Sequence, residues 1–102
     1  MENNYSNSQY CGYRSLMILN VEYRYINDDY VLFATFADWD SGEYCTATLS
    51  TSLRNKELVD FLKACGEYHD NIIVLDLLIG KMIYSKVKIE NDKYIAYDFW
   101  HR

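Results

Sequence analysis

Hydrophobic and polar residues alternate with a period of two along two segments in the first half of the chain, and a segment that is apolar on both faces lies between them. Such alternation is typical of β-strands, because successive side chains of a strand point to opposite faces. We predict strands over residues 15–26, 30–39 and 43–51. Residues 27–29 and 40–42 separate these strands and are all Asn, Asp, Ser or Gly. They predict turns, since these residue types accept the backbone angles of tight turns.

The period changes to that of an amphipathic helix over residues 55–66. We expect Asn55 or Ser52 to cap its first turn and Gly66 to end it. The residues that recur on its apolar face are Leu58, Phe61, Leu62 and Cys65. The next apolar stretch, residues 72–78, fits either a short strand or a loop that carries a helical turn.

Two more alternating segments, residues 81–90 and 93–100, predict a hairpin at the end of the chain. Asn91 and Asp92 lie between them and form the two-residue signature of a tight hairpin turn. In the first segment, one face carries Ile83, Val87 and Ile89. In the second segment, we expect the inward residues to be Ile95, Tyr97 and Phe99.

The predicted order is β-β-β-α-β-β, which makes the chain a mainly β protein with one helix. This order matches the OB-fold, a five-stranded Greek-key barrel. A strongly bent open antiparallel sheet with one helix across it satisfies the same pattern. Closure into an OB-like barrel accounts for segment 30–39, which is apolar on both faces, so that part of it is expected to be covered on both sides. Residues 1–12 lack a hydrophobic period and predict a flexible N-terminal arm, while residues 13–102 form a single β-rich domain.

The second half of the chain runs from the predicted helix through a short apolar element into the final hairpin. Its distinctive residues are Leu77, Leu78, Ile79, Gly80, Lys81, Val87, Tyr94, Tyr97, Asp98 and Phe99. This half resembles small OB-type proteins of Gram-positive bacteriophages, in which a helix leads to a Leu-Ile-Gly-Lys element and a terminal hairpin. The resemblance implies a phage or mobile-element origin and a link to single-stranded DNA metabolism.

Charge is unevenly distributed along the 102 residues. The net charge is −5, and residues 1–51 carry seven acids and two bases, whereas the acids and bases of residues 52–102 balance. A nucleic-acid binder usually has the opposite sign, because its affinity comes largely from neutralising phosphates. The acidic first half therefore favours a partner with a basic surface over direct binding to nucleic acid.

Residues able to carry catalysis or bind a metal are few. Cys11, Cys45 and Cys65 lack the spacing of a zinc site, and His69 and His101 belong to no metal-binding motif. We expect Cys45 and Cys65 to be core residues and Cys11 to be the exposed thiol. The sequence thus predicts a non-enzymatic protein with no catalytic residue, metal or cofactor. No secretory signal or membrane span is apparent, so a cytoplasmic location is expected.

Two candidate surfaces follow from the positions of aromatic and charged residues. The first is an acidic, aromatic partner-binding surface in the predicted turns, formed by Asp28, Asp29, Asp38, Trp39, Asp40, Glu43 and Tyr44. The second is a nucleic-acid-binding surface on the final hairpin, where bases stack on aromatic rings and lysines meet phosphates. It is formed by Tyr84, Lys86, Lys88, Tyr94 and Trp100.

The leading hypothesis is a small acidic inhibitor encoded by a phage or mobile element, of the kind represented by anti-CRISPR proteins. It would occupy a basic nucleic-acid-handling site on a host protein, such as a nuclease or another nucleic-acid-binding protein. The alternative is an OB-type module that binds single-stranded DNA. Pairing of exposed strand edges between two copies would produce a homodimer.

Overall fold

The computed structural model describes residues 8–52, 55–69 and 72–101, and it confirms a mainly β protein with the predicted order of elements. The second of its two helices is a single short turn before the final hairpin. The elements are β1 Ser8–Ile26, β2 Asp29–Asp38, β3 Tyr44–Ser50, α1 Lys56–Ala64, α2 Leu75–Leu78, β4 Met82–Glu90 and β5 Lys93–His101.

The five strands close into a barrel in the order β1-β2-β3-β5-β4, which is the strand order expected of an OB-like barrel. The long strand β1 pairs with both β2 and β4, and shifts of register at two places bend it between these partners. Gly12, with φ of 91°, lies at the first shift. Closure is completed where β3 meets β5 in parallel at the pair Thr46 and Ile95. The barrel is irregular because this last contact is short.

Helix α1 packs into the barrel through three aromatic rings. Phe61 of the helix lies with its ring centre 5.1 Å from that of Phe99 on β5 and 6.1 Å from that of Phe36 on β2, edge to face in both cases. All three side chains are buried. Each such aromatic pair contributes about 0.5–1.5 kcal/mol beyond the apolar area that it buries. The helix thereby ties β2 to β5.

Both ends of α1 follow the signals that predicted the helix. The side chain of Asn55 accepts a hydrogen bond from the Glu57 amide at 3.2 Å, so Asn55 is the N-cap. At the other end, Gly66 adopts φ of 73°, and its amide donates to the Lys63 carbonyl at 3.0 Å. The left-handed backbone at this position favours glycine and ends the helix.

Two tight turns join the antiparallel hairpins. Asn27 and Asp28 connect β1 to β2, Asn91 and Asp92 connect β4 to β5, and all four residues have φ between 52° and 64°. Positive φ at both central residues defines the type I′ turn, whose twist matches that of the strands. The predicted two-residue turn at 91–92 is confirmed.

Two details differ from the expectation. Residues 8–12, predicted to belong to the flexible arm, are the start of β1, while residues 1–7 of that arm lie outside the described residues. On β5, Ile95 and Tyr97 point outward, because a register shift at Asp98 leaves Ala96 and Phe99 on the inner face. Part of the outer face of β2 is covered, as expected. Its Phe33 is sheltered by Arg24, whose guanidinium carbon lies 3.8 Å from the ring centre.

We expect Asp92→Gly to stabilise the protein. Glycine accepts positive φ without the steric cost that any side chain brings, so the gain is about 0.5 kcal/mol and the melting temperature rises by roughly 2–4 °C. Thermal unfolding followed by circular dichroism measures it. The matched control is Lys93→Gly, in the extended strand that follows, which should lower the melting temperature. A lower melting temperature for Asp92→Gly would contradict the interpretation that Asp92 is strained in this turn.

Candidate functional site

The turn between β2 and β3 is organised by the buried carboxylate of Asp38, which is 5% exposed. Its Oδ1 accepts hydrogen bonds from the amides of Asp40 at 2.9 Å and Ser41 at 3.3 Å. Its Oδ2 lies 3.6 Å from Nε of Arg14 on β1. A side chain that bonds to backbone amides two and three residues onward holds a turn in one conformation. Asp38 therefore supports the turn from beneath and does not itself offer a charge to a partner.

Backbone hydrogen bonds also hold this turn in one conformation. The Asp38 amide donates to the Glu43 carbonyl, and the Gly42 amide donates to the Asp38 carbonyl, both at 2.8 Å. The Trp39 amide donates to the carbonyl of Ser15 on β1 at 2.9 Å. The turn is thus tied both to itself and to the neighbouring strand.

Two aromatic side chains project from this rigid turn into solvent. Trp39 is 60% exposed and Tyr44 is 69% exposed. Asp40 and Glu43 lie between them in the chain and are also exposed. We call these four residues the Trp39 surface. Exposed Trp and Tyr on a preorganised backbone are typical anchors of protein interfaces, because they bury a large area with little loss of side-chain freedom.

The predicted acidic surface is divided by the structure into two parts. Asp28 and Asp29 lie at the β1–β2 turn, while Asp38 and Asp40 lie at the opposite end of β2. The ten residues of β2 separate them by roughly 30 Å at about 3.3 Å per residue. The seven residues of the predicted acidic surface therefore do not form one compact surface, and Asp28 and Asp29 lie far from the Trp39 surface.

We expect Asp38→Ala to lower the free energy of unfolding by about 2–3 kcal/mol, because the two turn amides lose a charged acceptor. In Asp38→Asn the amide oxygen still accepts from Asp40 and Ser41, so only the negative charge and its ion pair with Arg14 are lost, and the loss is smaller, about 1 kcal/mol. Urea denaturation measures both values. Equal losses in the two variants would contradict the role given to the Asp38 oxygen.

The predicted nucleic-acid surface is brought together in large part. Lys86 and Lys88 project from the outer face of β4, as does Tyr84, which is paired with Trp100 of β5 in the sheet register. We call these four residues the lysine face. Tyr94 is not on it, since Tyr94 packs against the core. The negative charge of Glu43 raises the pKa of Tyr94, which places this phenol beside the β2–β3 turn instead.

Both lysines of the lysine face are already ion-paired. Lys86 Nζ lies 3.1 Å from Asp98 Oδ2, and Lys88 Nζ lies 3.6 Å from Glu90 Oε2. Lys88 Nζ also lies 4.9 Å from the centre of the Tyr97 ring. Each carboxylate offsets the attraction that its lysine would exert on a phosphate. The face thus offers stacking surfaces with little net positive charge.

A groove of about 570 Å³ opens between α1 and the outer face of the strands, at one side of the lysine face. Aromatic rings and two lysine–aspartate pairs line it. The lining residues are Tyr13, Lys56, Asp60, Lys86, Asp98, Phe99 and Trp100. We call it the Trp100 groove. Its volume lies within the range of small-ligand pockets, but it is open to solvent along its length.

Asp98 reaches the groove because of a bulge in β5. The residue has φ of 53° and interrupts the pairing with β4 between Ser85 and Lys86. The buried Ser85 hydroxyl lies 2.7 Å from the Lys86 carbonyl and 2.8 Å from the Tyr97 carbonyl, and its proton is shared between them. A buried hydroxyl thus stabilises the backbone beside the bulge through a hydrogen bond shared between these two carbonyls.

The thiols of Cys45 and Cys65 are buried, whereas the imidazole of His69 lies at the surface. Burial is the main cause that raises the pKa of Cys45 to about 11 and that of Cys65 to about 12, so both are neutral thiols at physiological pH. His69 is exposed, and its Nε2 lies 3.1 Å from Glu67 Oε1. Cys11 was expected to be exposed, but it is half-buried against the core.

We expect only Cys11 to react with Ellman's reagent in the native protein at about pH 8, because the thiolate is the nucleophile and burial keeps Cys45 and Cys65 protonated. All three cysteines should react in guanidinium chloride. Release of thionitrobenzoate gives the stoichiometry, and peptide mapping identifies the modified residue. Labelling of Cys45 or Cys65 in the native state would contradict their burial.

Within the described ranges, no group of three or more His, Cys, Asp or Glu side chains is placed to hold a metal ion. The helices of these ranges are all too short or too polar to span a bilayer. No protein-family model matches the chain, and searches of curated proteins and of solved structures found no significant similarity. The resemblance to small phage OB-type proteins therefore stays a prediction.

Several residues that shape these surfaces have no signal in the sequence. Arg14 and Asp60 belong to no recognisable motif, and Tyr13 is only the first residue of the predicted domain. Asp98 lies in an alternating segment whose pattern predicts an ordinary outward residue at this position. Only the closed barrel brings Tyr13 of β1, Asp60 of α1 and Asp98 of β5 to one groove.

Proposed function

We propose that this protein is a non-enzymatic binding module that engages a partner protein with a basic surface through the Trp39 surface. The observation that supports it is the rigid β2–β3 turn, on which Trp39 and Tyr44 are strongly exposed and flanked by the carboxylates of Asp40 and Glu43. Aromatic anchors provide affinity, and the surrounding negative charge steers a basic partner.

The overall charge supports the same class of partner. The net charge of −5 comes entirely from the first half of the chain, to which the Trp39 surface belongs. Such a charge accelerates association with a basic surface and slows association with nucleic acid. A nuclease or another nucleic-acid-binding protein of a host has the required basic site, and a phage-encoded inhibitor of the anti-CRISPR kind remains our hypothesis for the biological role.

Single-stranded DNA remains the alternative ligand. Stacking of Tyr84 and Trp100 favours it, because their rings lie together on the outer face, with centres 6.3 Å apart. The ion pairs of Lys86 and Lys88 disfavour it, because they neutralise the positive charge that phosphates would bind. Direct DNA binding would have to break those pairs or rely on stacking alone.

A charge-reversal pair tests the proposal. Asp40→Lys and Asp28→Lys change the net charge equally, but only the first lies on the Trp39 surface. Each tagged variant, with wild type and Trp39→Ala, is incubated with nuclease-treated lysate of the encoding organism, and captured proteins are quantified by mass spectrometry. We expect one basic protein to be retained by wild type and Asp28→Lys and to be reduced at least about tenfold by the other two.

A parallel titration of labelled oligothymidylate with the protein at low salt tests the alternative, which is binding to single-stranded DNA. We expect no binding to wild type at micromolar protein concentration. Oligonucleotide binding that weakens steeply with salt would favour the DNA-binding alternative. If Asp28→Lys reduced capture of the protein as much as Asp40→Lys does, the partner would recognise the overall charge and not the Trp39 surface.

A further inference from the structure

We propose that this protein forms a symmetric homodimer in which the free edge of β1, residues 20–26, pairs antiparallel with the same segment of a second copy. Tyr23 lies on the two-fold axis of this dimer, opposite Tyr23 of the second copy. The segment lies at the β1–β2 turn, whereas the Trp39 surface lies at the other end of β2. The inference therefore goes beyond the proposed function and does not depend on it.

The second half of β1 has one edge to which none of the described strands is paired. Residues 8–17 of β1 pair with β4, but over residues 20–26 the only described strand that pairs with β1 is β2. The other edge is closed just before this segment, where the Ile18 amide donates to the Lys81 carbonyl at 2.9 Å and the Gly80 amide donates to the Ile18 carbonyl at 2.7 Å. At its far end the segment is bounded by the turn at residues 27–28.

The hydrogen-bonding groups on this free edge belong to alternate residues. A two-residue type I′ turn makes the flanking residues Ile26 and Asp29 a hydrogen-bonded pair, and the two kinds of pair alternate along the ladder from there. Within residues 20–26, the backbone groups of the even-numbered residues therefore bond to β2, and those of the odd-numbered residues point away from it. The outward amides and carbonyls are those of Val21, Tyr23 and Tyr25.

This edge lacks the features that usually keep an edge strand from pairing. Residues 20–26 contain no Pro or Lys, and their register with β2 is regular. Aromatic side chains project beside the edge, since Tyr23 is 48% exposed and Tyr25 is 61% exposed. Such an edge is a typical site of β-strand addition, because main-chain hydrogen bonds provide affinity and cross-strand aromatic pairs add to it.

Charge complementarity identifies a second copy of the chain as the added strand and selects its register. With Tyr23 on the axis, Glu22 of each copy lies opposite Arg24 of the other copy, at a non-hydrogen-bonded position where side chains approach most closely. Moving the axis to residue 22 or 24 would place Glu22 opposite itself or Arg24 opposite itself. Like charges directly opposite each other destabilise strand pairing, so these two registers are disfavoured.

The ion pair within each chain is compatible with this arrangement. Arg24 Nε lies 2.6 Å from Glu22 Oε2 of the same chain, and both side chains are nearly half exposed. Dimerisation places two such pairs side by side, so that four charges alternate in sign around the axis. Each charge keeps its partner within the chain and gains one of opposite sign across the interface. No existing interaction has to be broken.

The length of the free edge selects the same register independently. Pairing about Tyr23 brings residue 20 opposite residue 26, so the whole free segment of both copies is used. The turn of the second copy then lies opposite residue 19, directly beside the place where Ile18 bonds to residues 80–81. An axis nearer the turn would leave outward groups unpaired, and an axis nearer residue 20 would push the second copy's turn into residues 80–81.

Sedimentation velocity tests for the dimer, and amide hydrogen exchange tests for its interface. A single strand pair lies at the small end of specific interfaces, so we expect a dissociation constant on the order of 100 µM. When protein concentration rises from about 10 µM to about 1 mM, the amides of Val21, Tyr23 and Tyr25 should become protected. The amides of Glu22 and Arg24 should be protected throughout, because they bond to β2.

A pair of charge reversals tests the register. Glu22→Lys and Arg24→Glu each place like charges opposite one another, so each variant alone should dimerise at least about tenfold more weakly than wild type. An equimolar mixture of the two variants should recover dimerisation, because every charge then lies opposite one of the other sign. Asp40→Lys is the matched control. It changes the net charge as much as Glu22→Lys, but it lies on the Trp39 surface and should leave dimerisation unchanged.

Three results would overturn the inference. The first is a protein that stays monomeric up to about 1 mM. The second is a dimer that neither charge reversal weakens, with native melting temperatures for both variants. The third is concentration-dependent protection that leaves out Val21, Tyr23 and Tyr25, since the interface would then lie elsewhere. None of these results affects the capture experiment with Trp39→Ala, so the two proposals can fail separately.

Discussion

Phe61 of α1 packs edge to face against Phe36 of β2 and Phe99 of β5, inside a barrel whose closing strands meet at the pair Thr46 and Ile95. This parallel contact is short and supplies few backbone hydrogen bonds. We therefore infer that the aromatic contacts provide much of the stability of the closed barrel. Strand β5 holds Trp100 and Asp98, and β2 leads into the turn that carries Trp39. The position of every candidate surface therefore depends on this packing.

Buried polar groups hold the irregular segments of the closed barrel in place and so determine which side chains its surfaces present. Asp38 fixes the β2–β3 turn through two amides and Arg14, and this presents Trp39. The Ser85 hydroxyl shares a hydrogen bond between two carbonyls beside the β5 bulge, and the bulge turns Asp98 toward the Trp100 groove. In both places an irregular backbone is stabilised from the inside, so that aromatic and acidic groups face solvent without loss of order. A small domain can thus hold two preorganised surfaces.

The sequence predicts the fold well because periodicity reports the strands and α1 directly. The caps of α1 at Asn55 and Gly66 and the turn at Asn91-Asp92 were all visible as local chemistry. Residues of the Trp39 surface were found because exposed Trp and Tyr beside turn acids are a local signal. The Trp100 groove was not found, since it joins β1, α1, β4 and β5 and depends on bulges that shift which residues face outward. Alternation alone predicts Tyr97 to point inward, because it does not reveal the bulge at Asp98.

The central claim is that the β2–β3 turn is a preformed binding surface and not a mobile loop. The most direct measurement is the ¹⁵N relaxation of the amides of Asp40, Ser41 and Gly42 in the free protein. We predict backbone order parameters of about 0.85, equal to those of the flanking strands, because each amide donates to Asp38. Order parameters below about 0.6 at these three amides would contradict the account, since the aromatic anchors would then have to be ordered by the partner.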